Sequence, residues 1–320
     1  MWQRNVVSNQ DSRMAVDGSR QPVHVPVLLR ETLEVLDLRP GLVVVDGTVG
    51  AGGHARAIAV AIAPGGALVG LDRDSEILVS ARAALSAEAG AASAEARVSL
   101  HHLPFRAMRQ ALAAAGLTAA DRVLLDLGVS SLQLDRPERG FSFMADGPLD
   151  MRMDSDAEVT AASWLATVGE RELADTLFQL GDERHSRRIA RAVVEARRRT
   201  PITRTRQLAE LVVSALPAAA RHGRIHPATR SFQAIRMAVN DELGELQAGL
   251  EAAVACLSPG GRLAVISFHS HEDRLVKQFL RAHGAPVTKK PLVAQPAEID
   301  QNPRSRSAKL RCAVFGEAVA

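Results

Sequence analysis

Val43-Val44-Val45-Asp46-Gly47-Thr48-Val49-Gly50-Ala51-Gly52-Gly53-His54 reads as a buried parallel strand that runs into a glycine turn and then a helix. Three β-branched residues in a row suit a strand covered on both faces. The glycines leave the backbone bare where a ligand must come close. An alanine-rich helix is expected over 54–63. Strand, glycine turn and helix form the opening of a doubly wound α/β sheet that binds nucleotide-like ligands. Glycine spacing alone also suits an ordinary tight turn, so the flanking acids have to separate the two.

Asp72 ends a second apolar run, Ala67-Leu68-Val69-Gly70-Leu71, about 20 residues past the glycines, where a carboxylate accepts hydrogen bonds from ribose hydroxyls. Asp46 stands at the tip of the first strand. A pyrophosphate would be repelled there, whereas S-adenosylmethionine brings a cationic amino group and no phosphate. The pattern therefore favours a methyl donor over a nicotinamide, although a carboxylate that merely caps the loop amides is compatible with either. No GxxxxGK[ST] occurs, which removes P-loop nucleotidases.

Outward from this stretch, a short helix is expected over 31–36, a helix over 75–91, a strand over 97–102 and a helix over 106–115. Phe105 follows the third strand, placed either against an adenine or in the core. Asp121-Arg122-Val123-Leu124-Leu125-Asp126 reads as a fourth strand, so Asp126 joins Asp46 and Asp72 at one sheet edge. After Gln133 the strand signals stop, and helices are expected over 161–167, 170–180, 186–199 and 205–216. A long helix over 227–257, a strand over 262–268 and an antiparallel pair, 289–293 with 309–314, complete the chain. The division that results is a flexible extension over 1–22, with Met14 as a possible alternative start, a sheet domain in two parts over 23–132 and 226–320, and a helical insertion over 133–225.

The 320 residues are 47% hydrophobic, enough for a substantial core. Lys+Arg 39 against Asp+Glu 36 leaves a net charge of +3, so charge announces no partner by its total. Its distribution says more: residues 181–206 hold nine arginines against three acids, and 281–311 hold seven Lys/Arg against two. Two distant cysteines without ligand spacing point to a reduced, cytoplasmic protein without structural zinc. No run reaches membrane-span length and the N-terminus lacks a secretory signal's apolar core.

Eight words carry a resemblance: HVPVLLRE at 24–31, DGTVGAGGH at 46–54, GLDRD at 70–74, LLDLGVSS at 124–131, ERGFSFMADGPLDMRMD at 138–154, HPATRSFQAIRMAVN at 226–240, PGGRLAVISFHSHEDR at 259–274 and NPRSRSAKLR at 302–311. In these the chain closely resembles the bacterial ribosomal RNA small subunit methyltransferase H family, which methylates N4 of a cytosine in 16S rRNA. The resemblance covers nearly everything after residue 22. It implies a class I, Rossmann-like S-adenosylmethionine-dependent methyltransferase, a mostly parallel doubly wound sheet with an inserted all-helical domain. It also implies that Gly52, Gly53, His54, Asp72, Phe105, Asp126 and Gln133 contact S-adenosylmethionine, Gln133 on the resemblance alone and His54 through its backbone. Leu132 and His271 depart from the usual proline and leucine. Asp126-Leu127-Gly128-Val129 stands where many amino-methyltransferases carry DPP followed by an aromatic, so catalytic detail does not transfer from those enzymes.

For catalysis the sequence nominates Asp126, or backbone carbonyls over 127–130, as acceptors for an amine N–H, with Ser130 and Ser131 as orienting groups if Asp126 holds cofactor instead. His269 is either a proton acceptor or base contact, or a structural histidine. Phe141, Phe143 or Phe268 would support a base drawn out of its stack. With Phe 8, Trp 2 and Tyr 0, stacking is scarce and phosphate contacts should dominate affinity. Arg187, Arg188, Arg191, Arg204, Arg206, Arg304, Arg306 and Lys309 are the expected RNA contacts, against the plainer reading of a solvated helix face. No metal is expected, and the partner is 16S rRNA in the small ribosomal subunit, with the enzyme a monomer or homodimer. Methylation of DNA or a small molecule, and a noncatalytic RNA-binding or assembly factor, remain as alternatives.

Overall fold

A computed structural model describes residues 26–86, 96–221, 223 and 225–316. The extension over 1–22 with Met14, and the 87–91 end of the third expected helix, lie outside them. The apolar runs read as strands form β1 (Val43–Asp46), β2 (Ala67–Asp72), β3 (Arg97–His102), β4 (Ala120–Asp126) and β5 (Leu257–Ser267). With β6 (Ala285–Pro286) and β7 (Lys309–Phe315) they make one seven-stranded sheet in the order β3-β2-β1-β4-β5-β7-β6. Pairing is parallel from β3 to β5, and β7 runs antiparallel to both of its neighbours.

The strands are apolar without alternation because both faces are covered. Val44, Leu68, Leu124, Ala264 and Ile266 join one core with α1 (Leu29–Leu36) and α2 (Gly53–Ile62). Their chain neighbours Val45, Val69, Leu125, Leu263 and Val265 join the opposite core with α4 (Met108–Ala114), α11 (Glu242–Cys256) and α12 (Ser270–His283). Successive side chains on a strand point to opposite faces, so each run feeds two cores at once. The helix α3 (Ser75–Ser86) follows β2.

Between β4 and β5, α5 (Ser131–Asp135) is followed by α6 (Ala161–Thr167), α7 (Glu170–Gly181), α8 (Ser186–Arg197) and α9 (Thr205–Ala215). These enclose a third core that runs in sequence from Phe141 to Ile235. It includes Phe232, Ala234 and Ile235 of α10 (Thr229–Val239), whereas Leu246 and Leu250 of α11 belong to the sheet.

Two expected elements are corrected. The single helix over 227–257 is two helices, broken at Asn240-Asp241, where Asp241 takes φ 44. Asn240 is drawn aside by the insertion: its amide donates to the Met151 carbonyl at 2.7 Å, and its Oδ1 accepts from the Met153 N–H at 2.7 Å. The strand expected over 289–293 reduces to one bridge, Leu292 to Leu310, and Ala285–Pro286 takes the sheet edge instead. Pro291 has no N–H for a ladder, which limits that run as a strand.

On α11, a Cβ added at Gly249 would fall inside the van der Waals surface of the Phe105 ring. Glycine to alanine inside a helix ordinarily stabilises by about 1 kcal/mol. Here overpacking, roughly 1–3 kcal/mol, opposes that gain. Gly249→Ala is therefore expected to lower the urea midpoint of unfolding; a raised midpoint would show that Phe105 has room to move.

Candidate active site

The strand order reverses between β1 and β4, and there the carboxyl ends of the strands open into a cleft. Its walls come from the loop over 47–51 with Gly53 and His54, from Asp72, Arg73 and Ile77, from Phe105, from the whole run 126–133, and from Glu242, Glu245, Phe268 and Glu272. Asn302 and Arg304 also border it. Of the expected cofactor residues, Gly53, His54, Asp72, Phe105, Asp126 and Gln133 are brought together here.

Two of the expected cofactor residues are not on the wall. Asp46 is fully buried beneath the loop, where its Oδ1 accepts from the Thr48 N–H at 3.1 Å. Burial, with the nearby charge of Asp72, raises its carboxyl to a pKa of about 7. Gly52 holds φ 89, a conformation that favours glycine, and lies against Ala81 and Ala84, so it serves the contact between α2 and α3. Gly50, with φ 54, is the loop glycine where an added Cβ would meet only the Thr48 carbonyl oxygen, at 3.9 Å.

Asp72 is fixed by the loop that it faces. The Gly50 N–H donates to one carboxylate oxygen at 2.9 Å and the Asp74 N–H to the other at 2.9 Å. Burial still lifts its pKa to about 6. The Asp126 N–H donates to Thr48 Oγ1 at 2.6 Å, which ties β4 to the β1 loop. Its side chain stands 3.5 Å from His54 Nδ1 through Oδ2, while Oδ1 is buried with no hydrogen-bond donor among the described residues. Burial, then the charges of Asp46 and Glu272, push this carboxyl well above the usual range.

The remaining candidates are held by local capping. Ser130 caps α5: its hydroxyl accepts from the Gln133 N–H at 3.2 Å, and the Gln133 side chain accepts from the Ser130 N–H at 3.0 Å. The other end of the Gln133 amide donates to Asp74 at 2.8 Å, so both ends of that side chain have protein partners. Ser131 is buried at the start of the same helix. His269 caps α12, with Nδ1 accepting from the Glu272 N–H at 3.4 Å and Nε2 lying 3.1 Å from Glu272 Oε1. Its ring is not on the cleft wall; Phe268 before it and Glu272 after it are.

Glu242, Glu245 and Glu272 were not singled out by the sequence. Burial would raise Glu272, but the His269 ring, the Phe268 N–H and Arg236 hold it below the usual range. Glu242 receives a double hydrogen bond from Arg236 at 2.7 and 2.8 Å. Glu245 pairs with Arg106. The signal for Glu272 was present as the capping spacing His269-x-x-Glu272, a histidine variant of the usual serine or threonine box.

The eight cations expected to meet RNA fall in two regions. Arg187, Arg188 and Arg191 lie exposed on α8, Arg191 with Glu170 at 3.8 Å, and Arg206 is exposed on α9. Arg204, just before α9, is bound twice by Asp146, at 2.7 and 3.0 Å. In the other region Arg304 pairs with Asp135 at 2.6 Å, Lys309 with Asp273 at 3.0 Å, and Arg306 is exposed.

A seven-stranded sheet in this order, with β7 reversed and a glycine loop at the switch point, defines a class I S-adenosylmethionine-dependent methyltransferase. The model of the MraW methylase family matches residues 21–315, and the chain belongs to that family. Similar curated proteins include "Ribosomal RNA small subunit methyltransferase H" of Thioalkalivibrio sulfidiphilus, 49% identical over 93% of this chain and 99% of that one. The protein of the same name from Xylella fastidiosa is 49% identical over 91% of this chain and 96% of its own. Among solved structures, an rRNA methylase from Streptococcus thermophilus aligns over 93% of this chain and 99% of its own, with 10% identity and a TM-score of 0.42. TrmN from Thermus thermophilus aligns over 90% of this chain and 48% of its own, with 14% identity and a TM-score of 0.43.

The buried carboxyl of Asp46 makes a prediction about pH. Its folded pKa of about 7 exceeds the ordinary 3.8, so the folded protein binds the extra proton between those values. The stability associated with that proton is full below the unfolded pKa and is lost as pH rises toward 7, by about 1.4 kcal/mol for each pH unit crossed. Asp46→Asn keeps an oxygen for the Thr48 N–H and removes the titration. Relative to the parent protein it is expected to gain stability between pH 5 and pH 8 in the absence of ligand. Equal differences in urea midpoint at the two pH values would contradict the burial assigned to Asp46.

Proposed function

We propose that the protein transfers a methyl group from S-adenosylmethionine to the exocyclic N4 of a cytosine in 16S rRNA, in the cytoplasm and on the small ribosomal subunit. The observation that carries this is that one cleft joins a donor half, the open Gly50 loop with Asp72 and Phe105, to an acceptor half, the 126–131 run with Phe268. The donor half suits the cofactor on its own chemistry. Burial raises the carboxyl of Asp72, with that of Asp46 behind it, and a ligand with cationic groups and no phosphate suits such a wall. Asp72 keeps acceptor capacity for hydroxyl groups beyond its two loop donors.

S-adenosylmethionine, when bound, supplies an electrophilic methyl group on a sulfonium. The chain then has to orient a weakly nucleophilic amine and take a proton from it. Asp126 is the group for both tasks: its carboxylate borders the cleft and stands 3.5 Å from the His54 ring. The carbonyls over 127–130 offer further acceptors, and the Ser130 cap holds that run in place. Phe268 and Phe105 supply apolar surface for the two planar ring systems. Arg187, Arg188, Arg191, Arg206 and Arg306, exposed as they are, would meet phosphates, with Arg304 at the mouth of the cleft.

Incubation with labelled cofactor and subunits lacking the modification is expected to place label in N4-methylcytidine after digestion. Cofactor binding without labelled nucleoside, in subunits and in naked rRNA, would count against this function. Asp126→Asn should leave cofactor affinity within a few fold and slow single-turnover transfer by about 10²–10⁴. Loss of cofactor binding instead would move the orienting role to Ser130 and Ser131. Neutralising Arg187, Arg188 and Arg191 together should weaken RNA binding and reduce its salt slope by about 2 to 3. An unchanged slope would remove α8 from the RNA surface.

A further inference from the structure

His54 sits in the first turn of α2 with its ring buried, and the groups nearest its two nitrogens make opposite demands. Its Nε2 lies 3.1 Å from the Val27 carbonyl oxygen, which only accepts hydrogen bonds, so Nε2 carries a hydrogen. Its Nδ1 lies 3.5 Å from Asp126 Oδ2. With Nε2 protonated, a neutral ring turns the Nδ1 lone pair toward a carboxylate oxygen, and two lone pairs repel. A proton between them converts the repulsion into a charge-assisted hydrogen bond. Asp46 on β1 and Glu272 on α12 bring further negative charge to Asp126, and Arg236 and His269 offset that of Glu272. Proton loss from the pair is opposed by the Asp126 carboxylate itself and, where it is ionised, by Asp46.

We propose that His54 and Asp126 form a buried imidazole–carboxylate pair that shares one proton, so that His54 acts as a positioning residue which holds the Asp126 carboxylate at the cleft wall as acceptor for the substrate amine. In the transfer step the N4–H bond breaks as the methyl group arrives, and that proton forms an O–H bond on the Asp126 carboxylate where it borders the cleft. The pair then holds two protons, one on the carboxyl and one on Nδ1, with the positive charge on the ring. Loss of one to water restores the starting state. Acid conditions that load the second proton beforehand block the acceptor. The proton-transfer role rests on the function proposed above; the existence of the pair does not.

The test has one arm for each. In nitrogen-15 spectra of the cofactor-free protein, Asp126→Asn should lower the midpoint at which His54 titrates, because the ring loses the carboxylate that shares its proton. An unmoved midpoint would overturn the pair, whatever the enzyme methylates. In single-turnover methylation, His54→Ala should displace the acid limb of the pH–rate profile upward, with a loss of more than about tenfold at pH 7 that shrinks toward alkaline pH. His54→Asn, which restores a neutral donor near Nδ1, should recover orientation but leave the limb displaced. A loss of the same factor at every pH, in variants whose thermal unfolding matches the parent, would show that His54 only fills space. A parent protein that methylates no RNA while its His54 midpoint depends on Asp126 would refute the proposed substrate and leave the pair standing.

Discussion

The buried carboxylate of Asp74 holds the two halves of the molecule in register. One oxygen accepts from the Glu76 and Ile77 N–H groups and so starts α3. The other accepts from Gln133 at 2.8 Å and from Arg139 at 2.8 Å. Arg139 in turn donates to the Arg152 and Met153 carbonyls. A single residue after β2 thereby organises the start of α3, the cap of α5 and the entry to the helical unit. Both charges are almost wholly buried, so removing either strands the other at a cost of about 3–5 kcal/mol. Because the Asp74 N–H also holds Asp72, the face offered to a ligand depends on the same junction.

Electrostatics divide the cleft from its surroundings. Asp72 and Asp126 make the donor side of the interior acidic, Glu242, Glu245 and Glu272 being paired with Arg236, Arg106 and His269, while Arg304 stands at the mouth and the arginines of α8 are exposed elsewhere. A cationic donor is drawn inward by that field and a phosphate is turned away. For the proposed RNA substrate the consequence is selective: the backbone finds its partners outside, and only an uncharged base enters.

Much of this was legible because it is local. Val43-Val44-Val45-Asp46, Leu68-Val69-Gly70-Leu71-Asp72 and Val123-Leu124-Leu125-Asp126 each show an apolar run ended by an acid, and parallel pairing aligns those ends. The helix expected over 161–167 forms over those residues, and Thr160 caps it. What escaped depends on distant contacts. Nothing near Asn240 announces a break, since the cause is a bond to Met151 and Met153 far upstream. His54 looked like a backbone contact because its partners, Val27 and Asp126, come from other elements. Asp46 and Gly52 fit a ligand-loop pattern, yet packing turned one beneath the loop and the other toward α3.

The break at Asn240-Asp241 also bears on how the chain reaches this state. β4 and β5 pair across the whole insertion, with Asp126 beside Ile266, and closing so long a loop is entropically costly. The helical unit has its own core, and Asn240 fastens its exit to the 151–153 segment near its entry. Once those helices pack, the two strand-bearing ends are already neighbours. The insertion thus fastens together the two chain ends that carry the strands it separates, so that it braces the sheet it interrupts.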